Sequence, residues 1–140
     1  RDIEIYSKLY DIAKKNGFLF CQENVNKYVM TKPENIRALK QAVPYCAFTL
    51  DIKQANRSVY SPFEIADAMG SNIKNFHIND FNQEKDCMLP GEGEFNLRGL
   101  IEKLKGYGYD DRATIEVYSH NYKSLDQIKA SKNYLDNILK

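Results

Sequence analysis

The sequence predicts an α/β fold built from parallel βα units, and two observations carry that reading. Apolar residues recur at helical spacing in five segments and at strand spacing in four, and the two kinds alternate along the chain. Each strand-like segment also has one mainly apolar face and a second face that ends in Glu23, Asp51, His77 or Glu116. Strands separated by helices of this length pair in parallel through crossovers. Crossovers are right-handed, so the helices would cover one face of a curling sheet.

The elements follow in order. Residues 2 to 15 place Ile5, Tyr6, Leu9, Ile12 and Ala13 at helical spacing, and Asn16-Gly17 supplies the stop. Phe18 to Asn24 reads as the first strand. A helix follows from about Pro33, with Glu34 in its first turn and Ile36, Leu39 and Val43 along one side. Cys46 to Asp51 is the second strand. Ser61-Pro62 opens a helix that runs to Met69 and closes at Gly70. Ile73 to Asp80 is the third strand, and a long loop holding Pro90, Gly91 and Gly93 leads to a helix over 96–105. Ala113 to Tyr118 is the fourth strand. An amphipathic helix runs from Ser124 to the end, with Leu125, Ile128, Tyr134, Leu135 and Ile138 on its apolar side.

The 140 residues predict one domain, residues 1–140, and 43% hydrophobic residues are enough for a packed core. Lys+Arg 20 against Asp+Glu 19 leaves a net charge of +1, scattered rather than blocked. That balance argues against nucleic acid or an anionic membrane as partner. No apolar run approaches the ~18 residues of a membrane span, and the first residues do not read as a signal peptide. The chain starts at Arg1 without a Met, as a trimmed or excised segment would. Three cysteines, Cys21, Cys46 and Cys87, form no CxxC pair, which favours a reducing compartment such as the cytoplasm over a disulfide framework.

The polar strand faces carry the chemistry. Leu19, Cys21 and Glu23 share a face of the first strand; Ala47, Thr49 and Asp51 of the second; Asn75, His77 and Asn79 of the third; Thr114 and Glu116 of the fourth. In a parallel sheet Glu23, Asp51, His77 and Glu116 gather at one end, separated in sequence by 28, 26 and 39 residues, about one βα unit each. The plain alternative is a water-facing sheet surface. Parallel sheets seldom leave a face to water, and three crowded carboxylates repel unless a cation sits among them.

At these residues the sequence resembles the xylose isomerase-like TIM barrels, a group of sugar isomerases, sugar epimerases and endonuclease IV-like proteins. The matching stretches are Phe20-Cys-Gln-Glu-Asn24, Phe48-Thr-Leu-Asp51, Asn75-Phe-His-Ile-Asn-Asp80, Leu89-Pro-Gly-Glu-Gly-Glu-Phe95 and Gly108 to Glu116. The resemblance implies the C-terminal half of a TIM (β/α)8 barrel, a helix followed by four βα units, because complete barrels need ~250 residues. It also implies a divalent metal held by Glu23, Asp51, His77 and Glu116. Mn²⁺ or Mg²⁺ is expected on this oxygen-rich set, with Co²⁺ or Zn²⁺ as substitutes. The implied activity is isomerisation or epimerisation of a sugar or sugar phosphate through an enediolate, with Glu23 and Glu116 as the acid–base pair. Two departures stand out. Gln54 occupies the position of a substrate-contacting histidine, so it would orient a hydroxyl rather than move a proton. Phe81 to Asp86 lacks an arginine that some members carry.

Several features have blander readings beside the functional one. His120 is either a substrate contact at the barrel rim or an exposed loop residue. Asp80 either orients His77 or caps the following loop. Pro90-Gly91-Glu92-Gly93 lacks the spacing of a phosphate loop and reads as a turn or lid. The tyrosines read as packing, and Cys21 as barrel filler. Two other functions compete: a non-catalytic half-barrel with a degenerate metal site, and an endonuclease IV-like phosphodiesterase, which draws on several histidines where this chain has only His77 and His120. A half-barrel would expose Leu19, Ala47 and Ile73 and two unpaired edges, through which two copies could form a homodimer.

Overall fold

The computed structural model describes residues 2–139. Four strands, β1 (Cys21–Glu23), β2 (Ala47–Asp51), β3 (Ile73–Ile78) and β4 (Ala113–Ile115), form one sheet in that order, with every neighbouring pair parallel. The helices are α1 (Asp2–Lys15), α2 (Pro33–Ala42), α3 (Ile52–Asn56), α4 (Pro62–Met69), α5 (Leu97–Gly106) and α6 (Leu125–Leu139). The α/β class and the strand order are as the sequence predicts. No described helix is long and apolar enough to cross a membrane.

Local chemistry sets the helix ends. Gly17, at φ +73°, lets α1 turn off through a Schellman closure, in which the Phe18 N–H donates to Ala13 O and the Gly17 N–H to Lys14 O. Ser61 and Glu64 form a reciprocal capping box at α4, with Pro62 in the first turn. Phe48, Leu50, Phe76 and Ile78 turn to the helix-covered face, where they pack with Ile36 and Leu39 of α2, Ile65 and Met69 of α4, and Leu100 and Leu104 of α5.

Several details differ from the expected pattern, β4 among them, which stops at Ile115 rather than Tyr118. β1 spans three residues rather than seven. Its pairing with β2 runs only from Cys21↔Ala47 to Glu23↔Thr49. Phe18 and Leu19 are left exposed, Leu19 at 65%. Ala47 and Ile73, expected on the open face, are instead buried. For Ile73 the cause is a β-bulge: Phe48 pairs with Ile73 and Thr49 with Asn75, so two steps on β3 answer one on β2. That shift turns Ile73 toward the helices while leaving Asn75 and His77 on the other side. Finally, α3 has no periodic signal, since five residues are too few to show one.

Tyr10 ties α1 to the sheet. Its hydroxyl donates to Ala47 O at 2.6 Å, and its ring meets Phe20 edge-on, the centroids 4.9 Å apart. Tyr10→Phe keeps the ring and removes a buried donor, so chemical denaturation should show a loss of about 1–2 kcal/mol. All three thiols are free. Burial pushes the Cys46 thiol up to about 11 and raises Cys87 as well. Brief alkylation of the native protein read by mass spectrometry should therefore spare both, and they should react only on unfolding.

Candidate metal centre

One side chain from the C-terminal end of each strand reaches a common point on the face away from the helices. Glu23 ends β1, Asp51 ends β2 and His77 lies near the end of β3. Glu116 directly follows β4, its N–H donating to Ile78 O at 3.0 Å and so extending the ladder one rung. One ligand atom from each of the four lies within 4.8 Å of the others.

Asp51 is the fixed centre of the group, fully buried. Its Oδ1 caps α3 by accepting the Gln54 N–H at 2.9 Å. Its backbone is clamped by Asn24, whose amide accepts the Asp51 N–H at 2.8 Å and donates to the Asp51 carbonyl at 3.0 Å. The free oxygen Oδ2 is thereby aimed into the cluster. His77 Nδ1 lies 3.0 Å from Glu116 Oε2 and 3.6 Å from Asp51 Oδ2. The other ring nitrogen, Nε2, lies 3.1 Å from the Asn75 amide, which holds the ring plane.

The charges sit unevenly. Burial works against the charge of Asp51, but His77, Glu116, the Gln54 N–H and Lys53 outweigh it, so its carboxyl titrates well below the usual range. Glu116 is raised, first by the adjacent Asp51 carboxyl and then by burial. Glu23 is raised by burial, then by the Asp51 charge. His77 is raised chiefly by Asp51, against the effect of burial. Asp51 is thus the standing anion, and the two glutamates hold protons more readily than free carboxyls do.

These residues fit a divalent cation. Asp51 Oδ2, His77 Nδ1 and Glu116 Oε2 are buried and have no hydrogen-bond partner, although they lie close together. They converge without the alignment that hydrogen bonds need, as ligands of one ion do. Three carboxylates and one imidazole form a hard, oxygen-rich donor set.

The remaining candidates fall elsewhere. Gln54 Oε1 accepts the Asn26 N–H at 3.0 Å, pinning the loop after β1, and its amide nitrogen has no hydrogen-bond partner among the described residues. His120 lies outside the cluster, exposed in the turn Ser119–Asn121, its ring stacked on Tyr118. Asp80 does not touch His77; it accepts the backbone N–H groups of Phe81, Gly91 and Phe95 and so caps the following loop. Lys53 also joins the cluster, a residue that strand alternation does not single out. Its ammonium is buried 3.2 Å from Glu116 Oε2 and 3.6 Å from Asp51 Oδ2. The signal available was its position, two residues past a strand-ending aspartate, where a capped first turn folds side chains back over the sheet.

A family model described as xylose isomerase-like TIM barrel matches residues 3–138. An uncharacterized protein of Methanocaldococcus jannaschii, MJ1311, is 29% identical over 142 residues, which cover 93% of this chain and 47% of that protein. Among solved structures, a D-tagatose 3-epimerase-like protein aligns with TM-score 0.74 and 29% identity, over 98% of this chain and 52% of its own. The IolI protein, solved with a zinc atom bound, aligns with TM-score 0.73 and 20% identity, over 97% and 54%. The 3-keto-D-glucoside 4-epimerase YcjR from E. coli aligns with TM-score 0.64 and 16% identity, over 97% and 51%. The last two likenesses speak for the fold alone. The chain spans about half the length of each relative.

Proposed function

The chain belongs to the xylose isomerase-like TIM barrel family, and on that premise we propose that it supplies the metal-binding half of a sugar or sugar phosphate isomerase or epimerase. The observation that carries this is the convergence of one ligand from each of four consecutive strand ends, the end where TIM barrels place their chemistry. The epimerase-like relative at 29% identity supports a small carbohydrate as substrate. Residues 1–140 act as one unit in this reading.

Glu23, Asp51, His77 and Glu116 would hold the cation, with Mn²⁺ or Mg²⁺ favoured by the hard donor set and Co²⁺ or Zn²⁺ as substitutes. When bound, the cation would supply Lewis acidity that eases loss of a proton next to the sugar carbonyl, giving an enediolate. Glu23 and Glu116 move that proton. They come from the first and last strands of the sheet, so they approach one bound carbon from two sides. Return to the neighbouring carbon isomerises the sugar; return to the opposite face epimerises it. Asp51 and His77 hold and orient. The Gln54 amide nitrogen orients a hydroxyl, and His120 contacts the far end of the substrate from the rim.

One cluster with one histidine among the described residues does not match the several histidines of an endonuclease IV-like site. The test is solvent-deuterium exchange at the sugar carbon next to the carbonyl, run on the protein that carries this chain with Mn²⁺ and a panel of aldoses and ketoses. Glu23→Gln and Glu116→Gln should each lower exchange by at least about 100-fold. Exchange at the parent rate in both variants removes the pair from the chemistry. No exchange on any sugar favours the non-catalytic half-barrel.

A further inference from the structure

We propose that Lys53 is a built-in counter-ion of the metal centre, which neutralises Asp51 and Glu116 when no metal is bound and competes with the divalent cation for the same two oxygens. The inference rests on the metal reading above and concerns what sets the affinity of that site.

The geometry carries it. Lys53 sits in the first turn of α3, and the Asp51 cap fixes where that turn begins. Its side chain is 4% exposed, so the ammonium is committed to the cluster rather than to water. It lies 3.6 Å from Asp51 Oδ2 and 3.2 Å from Glu116 Oε2. Those are the two oxygens that His77 Nδ1 faces and that lack hydrogen-bond partners. A dication and the ammonium therefore claim the same lone pairs, and bound together they repel at short range in a partly desolvated site. Asp51 is buried and two partly exposed carboxylates crowd it, so without metal the lysine also offsets a repulsion that would otherwise push the strand ends apart.

Nζ lies 5.0 Å from the centroid of the Tyr118 ring, which also meets Arg57 at 5.5 Å. An ammonium displaced from the oxygens would keep cation–π attraction to that ring, against the repulsion of the Arg57 charge. Because coupling is reciprocal, whatever the metal takes from the lysine's contacts, the lysine takes from metal affinity.

The test is calorimetric titration of Mn²⁺ into the parent, Lys53→Met and Lys53→Gln at one near-neutral pH, with thermal unfolding measured with and without metal. The expected result is at least about tenfold tighter binding in a lysine variant, within the usual range of site-to-site coupling. Its metal-free form should unfold earlier, and added Mn²⁺ should shift its melting more than the parent's. Binding in a variant whose parent shows none supports the proposal too. Equal or weaker binding in both variants overturns it and leaves the metal reading standing. No binding in parent or variants defeats the metal reading and the proposal with it. If neither variant folds, ¹⁵N spectra of the parent's lysine ammonium groups decide. Addition of Mg²⁺ or Zn²⁺ should shift the buried Lys53 signal, and an unmoved signal at saturating metal overturns the competition.

Discussion

Asp51→Asn should weaken Mn²⁺ binding by at least about 100-fold, beyond what the loss of an orienting group around a ligand costs, while the fold survives. The two halves of that result come from different oxygens of one carboxylate. Oδ1 caps α3, and asparagine is as good a cap as aspartate, so the Gln54 N–H keeps its acceptor. Oδ2 faces His77 Nδ1 and Lys53 Nζ, and there an amide brings neither the charge nor the lone pairs that a divalent ion needs. Asp51→Ala loses the cap as well, adding about 0.5–2 kcal/mol of instability. Calorimetry and urea unfolding on both variants separate the roles: both should lose metal, and only alanine should lose the extra stability. Unchanged Mn²⁺ affinity in Asp51→Asn would remove Asp51 from the site.

That one residue shows what the sequence made legible and what it hid. Alternation along the strands puts Glu23, Asp51, His77 and Glu116 on one face, because a period of two is a property of the backbone that no tertiary contact alters within a regular strand. βα spacing then brings the strand ends to one height. The bulge at Lys74 interrupts the alternation, and no sequence signal announces it, so Ile73 came out on the wrong face while His77, beyond the bulge, did not. Lys53 was hidden for a related reason. Its role depends on a single turn of helix nucleated by the Asp51 side chain, and periodicity cannot register one turn. Asn24 and Asn75 were visible as residues of the matching stretches, but not as the clamp on the Asp51 backbone and the brace on the His77 ring. Polar residues choose partners by proximity, and proximity across strands depends on register. Phe18 to Phe20 have strand-like composition, but β2 begins only at Ala47, opposite Cys21, and a strand's own residues do not show where its neighbour begins.

Asp80→Ala should cost about 3 kcal/mol or more of unfolding free energy and loosen the loop that runs from β3 to α5. Asp80 is buried, and its carboxylate accepts three backbone N–H groups: Phe81 at 2.9 Å, Gly91 at 3.0 Å and Phe95 at 3.1 Å. Its backbone also pairs with Met88 in both directions, at 2.9 and 2.7 Å. One side chain thus gathers points spread over fifteen residues of irregular chain. Hydrogen bonds to a charged acceptor contribute about 1.5–3 kcal/mol each, and partial exposure of the donors keeps the total below the simple sum. Close approach explains the neighbouring glycine. A Cβ on Gly93 would meet Asp80 Oδ1 at 2.4 Å and Phe81 O at 2.6 Å, so Gly93→Ala should cost about 1–3 kcal/mol by crowding. The two effects are coupled, because removing the carboxylate clears Asp80 Oδ1 and Cγ from the new methyl group and leaves only the Phe81 O contact. In a double-mutant cycle the loss in Asp80→Ala/Gly93→Ala should therefore fall short of the two single losses added together. Denaturant unfolding of all four proteins measures this. A stability within about 1 kcal/mol of the parent for Asp80→Ala would show that water replaces the carboxylate, and that the loop is held instead by contacts such as the Ser131 hydroxyl on Pro90 O at 2.8 Å.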